Sequence, residues 1–364
     1  MYTAKIFGAG SIGNHLAHAA RSFGWSVILT DIDPAALERT RESIYPGRYG
    51  AWDGEIVLKD SRDALSDPAD CVFIGTPPDS HVRLALEAIE AAAPRAIVIE
   101  KPLAGPDLAG CQGLLERVEA AGIFAAVGYN HTLAESTVMA EKLIRAGDLG
   151  PVQTLSARTR EHWGGIFNAH PWLSGPEDTY LGYYRRGGGA CGEHSHAINI
   201  WQHFAHVVGA GRVVEVDAML DIVQDGKAEY DRLCLLNLRT EEGLIGDVIQ
   251  DVVTAPTEKS ARLQARDGFI EWHVNRTPEA DAVVHGRVGK APSESLVPKT
   301  RPDDFKAEIA HLEQALDSGI TDSPISLRRG LDTMMVIAAA FSAHAAGRRV
   351  AIDWGAGYVP DAII

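Results

Sequence analysis

Thr3-Ala4-Lys5-Ile6-Phe7-Gly8-Ala9-Gly10-Ser11-Ile12-Gly13 is the stretch on which the reading of this chain turns. It opens as a short apolar run, passes through glycines spaced G-x-G-x-x-G, and enters a helical pattern at Ser11. A strand that ends in such a loop and feeds a helix suits a dinucleotide. Gly8 permits the tight turn, Gly10 lets backbone come close to a pyrophosphate, and Gly13 lets the helix pack on the strand. The helix N-terminus, entered through Ser11 and Ile12, offers free N–H groups to the phosphates. Asp31 follows the second apolar run near the spacing at which a carboxylate bonds the ribose hydroxyls. An acid there favours NAD over NADP, because a 2′-phosphate would meet like charge; Asp33 could share the role. The spacing alone is weak evidence, and its place at the head of an alternating pattern gives it weight.

Working outward, apolar runs and helical patterns alternate through the first third. Residues 25–30, 71–75, 96–99 and 124–128 read as strands. Residues 11–23, 34–44, 80–93 and 107–121 read as helices between them. Continuous apolar strands alternating with helices imply a parallel sheet covered on both faces. After about residue 130 the pattern changes. Residues 152–160, 213–223, 232–239 and 244–253 read as longer strands, several of which alternate apolar and polar residues. Turns at Asp225-Gly226, Glu242-Gly243 and Asp267-Gly268 separate strands, the last preceding residues 269–272. Helical patterns at 303–318 and 327–346 close the chain. The expected fold is α/β: an N-terminal doubly wound Rossmann sheet over residues 1–128, then an α+β domain with a mostly antiparallel open sheet over residues 129–364.

Composition narrows the function. The chain has 364 residues, 46% hydrophobic and 23% charged, with a formal net charge of -15. That length suits two domains, and that balance suits a globular protein. The acidic excess argues against a nucleic-acid partner. Cys71, Cys111, Cys191 and Cys234 are scattered without a C-x-x-C pair, so reduced thiols are expected. The apolar run 334–341 is too short to span a bilayer, and no signal-peptide pattern precedes the first strand. Together these lead to the expectation of a cytoplasmic protein with a small-molecule partner.

Two further clusters fall at strand ends, where open α/β sheets bind ligands. Gly75-Thr76-Pro77-Pro78-Asp79-Ser80-His81 stands between a strand and a helix. Thr76, Pro77, Pro78 and His81 are candidates to flank the cofactor, although the segment reads equally as a helix start capped by Asp79 or Ser80. Glu100-Lys101-Pro102 follows the run 96–99. Lys101 could donate to a substrate hydroxyl or carry protons; by itself the pair reads as ordinary strand-end charge.

The glycine loop, the Thr-Pro-Pro cluster and Glu-Lys-Pro, in that order, resemble the Gfo/Idh/MocA oxidoreductases, the glucose–fructose oxidoreductase and inositol dehydrogenase-like family. The resemblance continues through Gly128-Tyr129-Asn130-His131, through Gly187-Gly188-Gly189-Ala190 with Ser195-His196-Ala197-Ile198-Asn199, and through residues 324–352. It implies that Lys101 is the catalytic lysine and His196 the acid/base, with His194 a second candidate for the base. The family often carries aspartates near that histidine, where this chain reads Glu193 and Asn199. Asn199 can orient substrate but cannot exchange a proton as a carboxylate does. Glu100 and Asn130 join Lys101 among the expected cofactor contacts. Lys101, Asn130, Arg160, Trp163, His196 and Asn199 are expected to meet substrate.

Residues 158–184 are rich in aromatics and basic groups, among them His162, His170, Trp172, Tyr180, Tyr183 and Tyr184. They suit a sugar-lined pocket, or equally a loop packed for structure. The histidines at 194, 196, 203 and 206 form no compelling ligand set, and no metal is expected. The implied activity is an NAD-dependent dehydrogenase acting on a secondary hydroxyl or ketone of a sugar or cyclitol, NADP being less favoured. Two other readings share these residues: an NAD-dependent glycoside hydrolase of the same family, and a non-enzymatic dinucleotide sensor. The resemblance also implies a homodimer or homotetramer.

Overall fold

The computed structural model describes residues 1–168, 173–320 and 322–364. The chain divides into two compact units. The first comprises Met1–Leu103, Gly110–Asn130 and Arg301–Arg328; the second comprises Ala104–Ala109, His131–Thr300 and Arg329–Ile364. A single cut at 128/129 therefore leaves out two crossings, the larger of which returns the helix Asp303–Ser318 to the first unit.

The first unit is built on β1 (Thr3–Phe7), β2 (Ser26–Asp31), β3 (Ile56–Asp60), β4 (Cys71–Ile74), β5 (Ala96–Ile99) and β6 (Phe124–Val127). Their order, β3-β2-β1-β4-β5-β6, is all-parallel and doubly wound, as the alternation predicts. The sheet centre is apolar on both faces: Ile6, Phe7, Leu29, Phe73, Ile74, Ile97 and Ile99 are buried. Strand β3 was not foreseen. It is an edge strand with only Ile56 fully buried, and its apolar run, Ile56-Val57-Leu58, is short and shows no alternation. Lys5, on the central strand, is buried with its ammonium donating to the carbonyls of Ala64, Leu65 and Asp67 at 3.0, 2.8 and 2.6 Å. Those bonds satisfy a charge that burial would otherwise penalise.

The helical pattern expected over 34–44 runs on to Tyr49 through a wide turn, Thr40–Ile44, into Tyr45–Tyr49. Thr40 explains the path: its hydroxyl donates to the Ala9 carbonyl at 2.5 Å and accepts from the Asn14 amide at 3.1 Å. The helix Asp303–Ser318 buries Phe305, Ile309 and Leu312 and packs on the helix Ser11–Ser22. Phe305 stacks on His15 at 4.9 Å, and the Trp25 indole donates to Glu313 at 2.7 Å.

The second unit is a nine-stranded sheet: β7 (Val152–Arg160), β8 (Val213–Asp225), β9 (Ala228–Thr240), β10 (Ile245–Asp251), β11 (Glu258–Ala265), β12 (Gly268–Thr277), β13 (Ala280–Arg287), β14 (Ser293–Pro298) and β15 (Val350–Ala351). The order is β14-β13-β12-β11-β7-β10-β9-β8-β15. Every pairing is antiparallel except β7 with β10, which agrees with the expected mostly antiparallel sheet. Strands β11, β13 and β14 and the helix Glu135–Arg145 were not read from the sequence. The helix His196–Val207 crosses β7, anchored by the Trp201 indole donating to the Leu155 carbonyl at 2.7 Å. Among the described residues no helix is long and apolar enough to cross a membrane.

Candidate functional site

In the first unit the strand order reverses between β1 and β4, and the expected cofactor residues gather at the carboxyl ends of these strands. The three glycines of the loop answer to different constraints. Gly8 has φ +104°, and a Cβ there would sit 2.6 Å from the Gly75 carbonyl oxygen. A Cβ on Gly13 would fall 1.9 Å from the Gly8 carbonyl oxygen and 3.3 Å from Leu29. The fold itself demands both. A Cβ on Gly10 would meet nothing within 4 Å, so the packing of the protein does not require a glycine there. What Gly10 keeps clear is the space outside the loop. The helix Ser11–Ser22 starts at that point with no side-chain cap, leaving first-turn N–H groups for an anion. These features fit a dinucleotide, whose pyrophosphate would lie over Gly10, Ser11 and Ile12.

Asp31 braces the same loop. Its carboxylate accepts from the Ala9 amide at 2.9 Å and from the Asp33 amide at 3.0 Å. Each oxygen retains a lone pair, so ribose hydroxyls can still donate to it. Asp33 is committed elsewhere: it caps the helix Pro34–Arg39 by accepting from Ala35 N at 3.0 Å.

The cluster after β4 divides likewise. The Thr76 and Ser80 hydroxyls lie 2.7 Å apart, and Ser80 donates to the Pro77 carbonyl. His81 is not turned toward a ligand. Its ring is 1% exposed, with Nε2 2.6 Å from the Thr76 carbonyl and Nδ1 3.0 Å from the Pro102 carbonyl. Expected as a cofactor contact, it is instead a strut joining the loops that follow β4 and β5. Burial pushes its imidazole down to about 4, against the pull of the two carbonyls.

Glu100 is also turned inward. A Cβ on Gly128 would lie 2.9 Å from each of its carboxylate oxygens, which explains the glycine at that point. Glu308, fully buried on the helix Asp303–Ser318, is held well above the usual carboxyl range by burial and by the charges of Glu100 and Asp304. The Asn130 amide pulls the other way. Lys101, next in sequence, is half-exposed.

On the second unit, the run Gly187-Gly188-Gly189 has a packing cause. A Cβ on Gly188 would lie 2.2 Å from the Tyr180 carbonyl oxygen. Gly189 has φ +77°, and its Cβ would lie 1.9 Å from Asp231 Oδ1. Asp231 accepts from the Cys191 amide at 2.7 Å and so anchors the short helix Gly189–Glu193. Glu193 accepts from the Tyr180 hydroxyl at 3.0 Å. His194 is 3% exposed, whereas His196 is half-exposed. The His196 ring stacks on His131 with centroids 4.2 Å apart and planes 22° apart, and His131 lies 6.0 Å from Trp272. His131 belongs to a segment read only as a domain connection. No periodicity could reveal that the chain folds it against a residue 65 positions on.

Asn199 departs from expectation. It is 4% exposed and donates to Thr333 Oγ1 at 3.1 Å, tying its helix to Leu327–Ala346 rather than facing a substrate. Arg160 keeps a third of its side chain exposed but donates to the buried Asp251 at 2.6 Å. Trp163 is 6% exposed and packs against Tyr230 and Phe167, centroids 4.5 and 5.8 Å away. Tyr184 stacks on Phe341. His203 pairs with Glu141 at 2.8 Å. His170 and Trp172 lie outside the described residues.

No curated protein matches the chain in sequence. Among solved structures, levoglucosan dehydrogenase in complex with NADH and levoglucosan aligns with a TM-score of 0.76 at 18% identity, over 96% of this chain and 98% of that one. Aldose-aldose oxidoreductase from Caulobacter crescentus, complexed with glycerol, gives 0.73 at 20% over 96% and 99%. An oxidoreductase from Agrobacterium radiobacter, in complex with NAD+, L-tartaric acid and magnesium, gives 0.74 at 19% over 96% and 98%. At these identities the likeness establishes the fold over nearly the whole chain. The model of the oxidoreductase family with an NAD-binding Rossmann fold matches residues 3–129, the segment that carries the glycine loop, Asp31, the Thr-Pro-Pro cluster and Glu-Lys-Pro. By that match, residues 3–129 fit the NAD-binding Rossmann domain of the Gfo/Idh/MocA oxidoreductases.

Proposed function

We propose that this protein is a dehydrogenase that moves a hydride between NAD and a secondary hydroxyl or ketone of a sugar, sugar derivative or cyclitol. The observation that carries the reading is the state of His196. It begins its helix half-buried, with Nδ1 inside, while His194 and Asn199 are buried at 3% and 4%, so of that segment's two imidazoles it is the one that keeps surface for a solute. On a chain whose other unit binds NAD, such a group suits proton exchange with a reacting hydroxyl. The relatives solved with levoglucosan, and those named for aldoses, supply the substrate class.

In this reading NAD, when bound, accepts or returns the hydride. Asp31 holds the ribose hydroxyls and disfavours a 2′-phosphate. His196 takes the hydroxyl proton, and Lys101 holds the oxygen and shares the proton. Glu193, fixed by Tyr180, orients the segment that bears His196. Arg160, bonded to Asp251 and paired with Glu258 at 3.6 Å, keeps a third of its side chain exposed, from which it meets hydroxyls of the ring.

The test is NADH formation by purified protein and NAD against anhydrosugars, aldoses, sugar acids and cyclitols, with glycoside cleavage read in parallel. Growth of NADH with one substrate class is expected. Lys101→Ala and His196→Ala should each lower kcat by about 10²- to 10⁴-fold while NADH still binds. Glycoside cleavage without net NADH, or turnover that survives both substitutions, would overturn the assignment.

A further inference from the structure

We propose that Arg48 is a cofactor-positioning residue, a guanidinium set beside the glycine loop to receive the diphosphate of the dinucleotide. The wide turn Thr40–Ile44 redirects the chain so that the helix Tyr45–Tyr49 returns to the first turn of Ser11–Ser22. There Arg48 donates twice to one residue: Nη1 to the Ser11 carbonyl and Nη2 to the Ser11 hydroxyl, each at 2.8 Å. A serine oxygen that accepts from a guanidinium has its own hydrogen left to donate, here at the edge of the space kept clear at Gly10. Ser11 is thereby made a donor for an anion.

Charge balance points the same way. The chain carries 49 acidic residues against 34 lysines and arginines, yet among the described residues the charged side chain acting on this half-buried guanidinium is another cation, Arg301, beside the neutral Tyr49 hydroxyl. Arg301 lies over the Phe305 ring at 5.7 Å, and Phe305 stacks on His15. Burial first, then the nearness of Arg48 and Arg301, holds His15 down to about 3, so it adds no charge of its own. A desolvated cation with another cation for company costs free energy until an anion arrives. A diphosphate brings that charge, and the planar fork of arginine suits its oxygens. The inference rests on the NAD-binding domain and is independent of the substrate.

The experiment measures Kd for NADH and for ADP, which keeps the diphosphate and lacks the nicotinamide. The proteins are the wild type, Arg48→Met, Arg48→Lys and the control Arg41→Met, whose arginine is exposed and paired with Glu42. Thermal melting of each checks folding. Arg48→Met should bind both ligands about 10- to 100-fold more weakly, as loss of a charge-assisted bond implies. Arg48→Lys should recover part of that loss, and Arg41→Met should match the wild type. Wild-type affinity in Arg48→Met overturns the proposal. So does a loss confined to NADH, since ADP carries the same diphosphate. Should Arg48→Met not fold, Arg48→Gln, which keeps N–H donors for Ser11 and removes the charge, decides: ADP binding weakened about tenfold in a variant that melts near the wild type supports the proposal, and wild-type ADP affinity overturns it. A wild type that binds neither ligand would refute the cofactor reading itself, a result distinct from any of these.

Discussion

At the scale of single residues, the glycine loop separates what the fold needs from what the ligand needs. Gly13 sits where a methyl group would strike the Gly8 carbonyl at 1.9 Å, while Gly10 faces open space. Gly13→Ala should therefore cost about 1–3 kcal/mol of stability, the range for overpacking. Gly10→Ala should melt close to the wild type yet bind NADH about tenfold more weakly, equivalent to ~1.4 kcal/mol. Thermal melts paired with NADH titrations would separate the two. Equal melting points, or equal affinities, would show that the loop is not divided this way. The sequence motif names all three glycines alike. Only the distances reveal that one of them protects a ligand's space.

At the scale of elements, the helix Asp303–Ser318 shows how a segment remote in sequence completes the first unit. It carries Glu308 into a fully buried position that feels the charges of Glu100 and Asp304. The folded protein holds this carboxyl protonated at pH values where the unfolded chain has released it. Its contribution is full below the ordinary carboxyl range and is lost as pH rises, because ionisation then favours the unfolded state. Glu308→Gln keeps the shape and does not titrate. Its melting point relative to the wild type should rise steadily from about pH 5 to about pH 8. A gap that stays constant across that range would mean that Glu308 is ionised in the fold. The helix's span, 303–318, was legible from its apolar spacing, and its destination was not. Periodicity records which face is buried and carries no record of what buries it. The same limit explains β3, an edge strand with one buried residue, and β13, whose buried residues Ala280, Asp281, Ala282 and Val283 form no alternation.

At the scale of the whole molecule, the nine-stranded sheet keeps one apolar row exposed or half-exposed. Strand register aligns Met219 on β8 with Leu235 on β9 and Ile249 on β10. Met219 is 69% exposed. We propose that a second copy of this chain covers that row, giving a homodimer or a tetramer built from it. Light scattering should find an oligomer for the wild type and a smaller mass for the double variant Met219→Glu, Ile249→Glu. A monomeric wild type, or a double variant of unchanged mass, would sink the reading.

What the sequence determined by itself is local. The glycine loop, Asp31, the proline-rich turn and Glu-Lys-Pro were recognisable because each works through backbone geometry within a few residues. The alternation of apolar runs with helical patterns was enough to imply a doubly wound sheet, since strands covered on both faces have little freedom to read otherwise. Tertiary structure decided where side chains point. His81 and Asn199 look like ligand contacts by position, yet carbonyls of Thr76 and Pro102 claim the one and Thr333 claims the other. His131 and Arg48 carried no local signal and gained their roles from His196 and Ser11, which folding alone brings to them. The reason is physical: a helix or turn is specified by neighbours along the chain, whereas a side chain's partner is specified by whatever the rest of the chain packs against it.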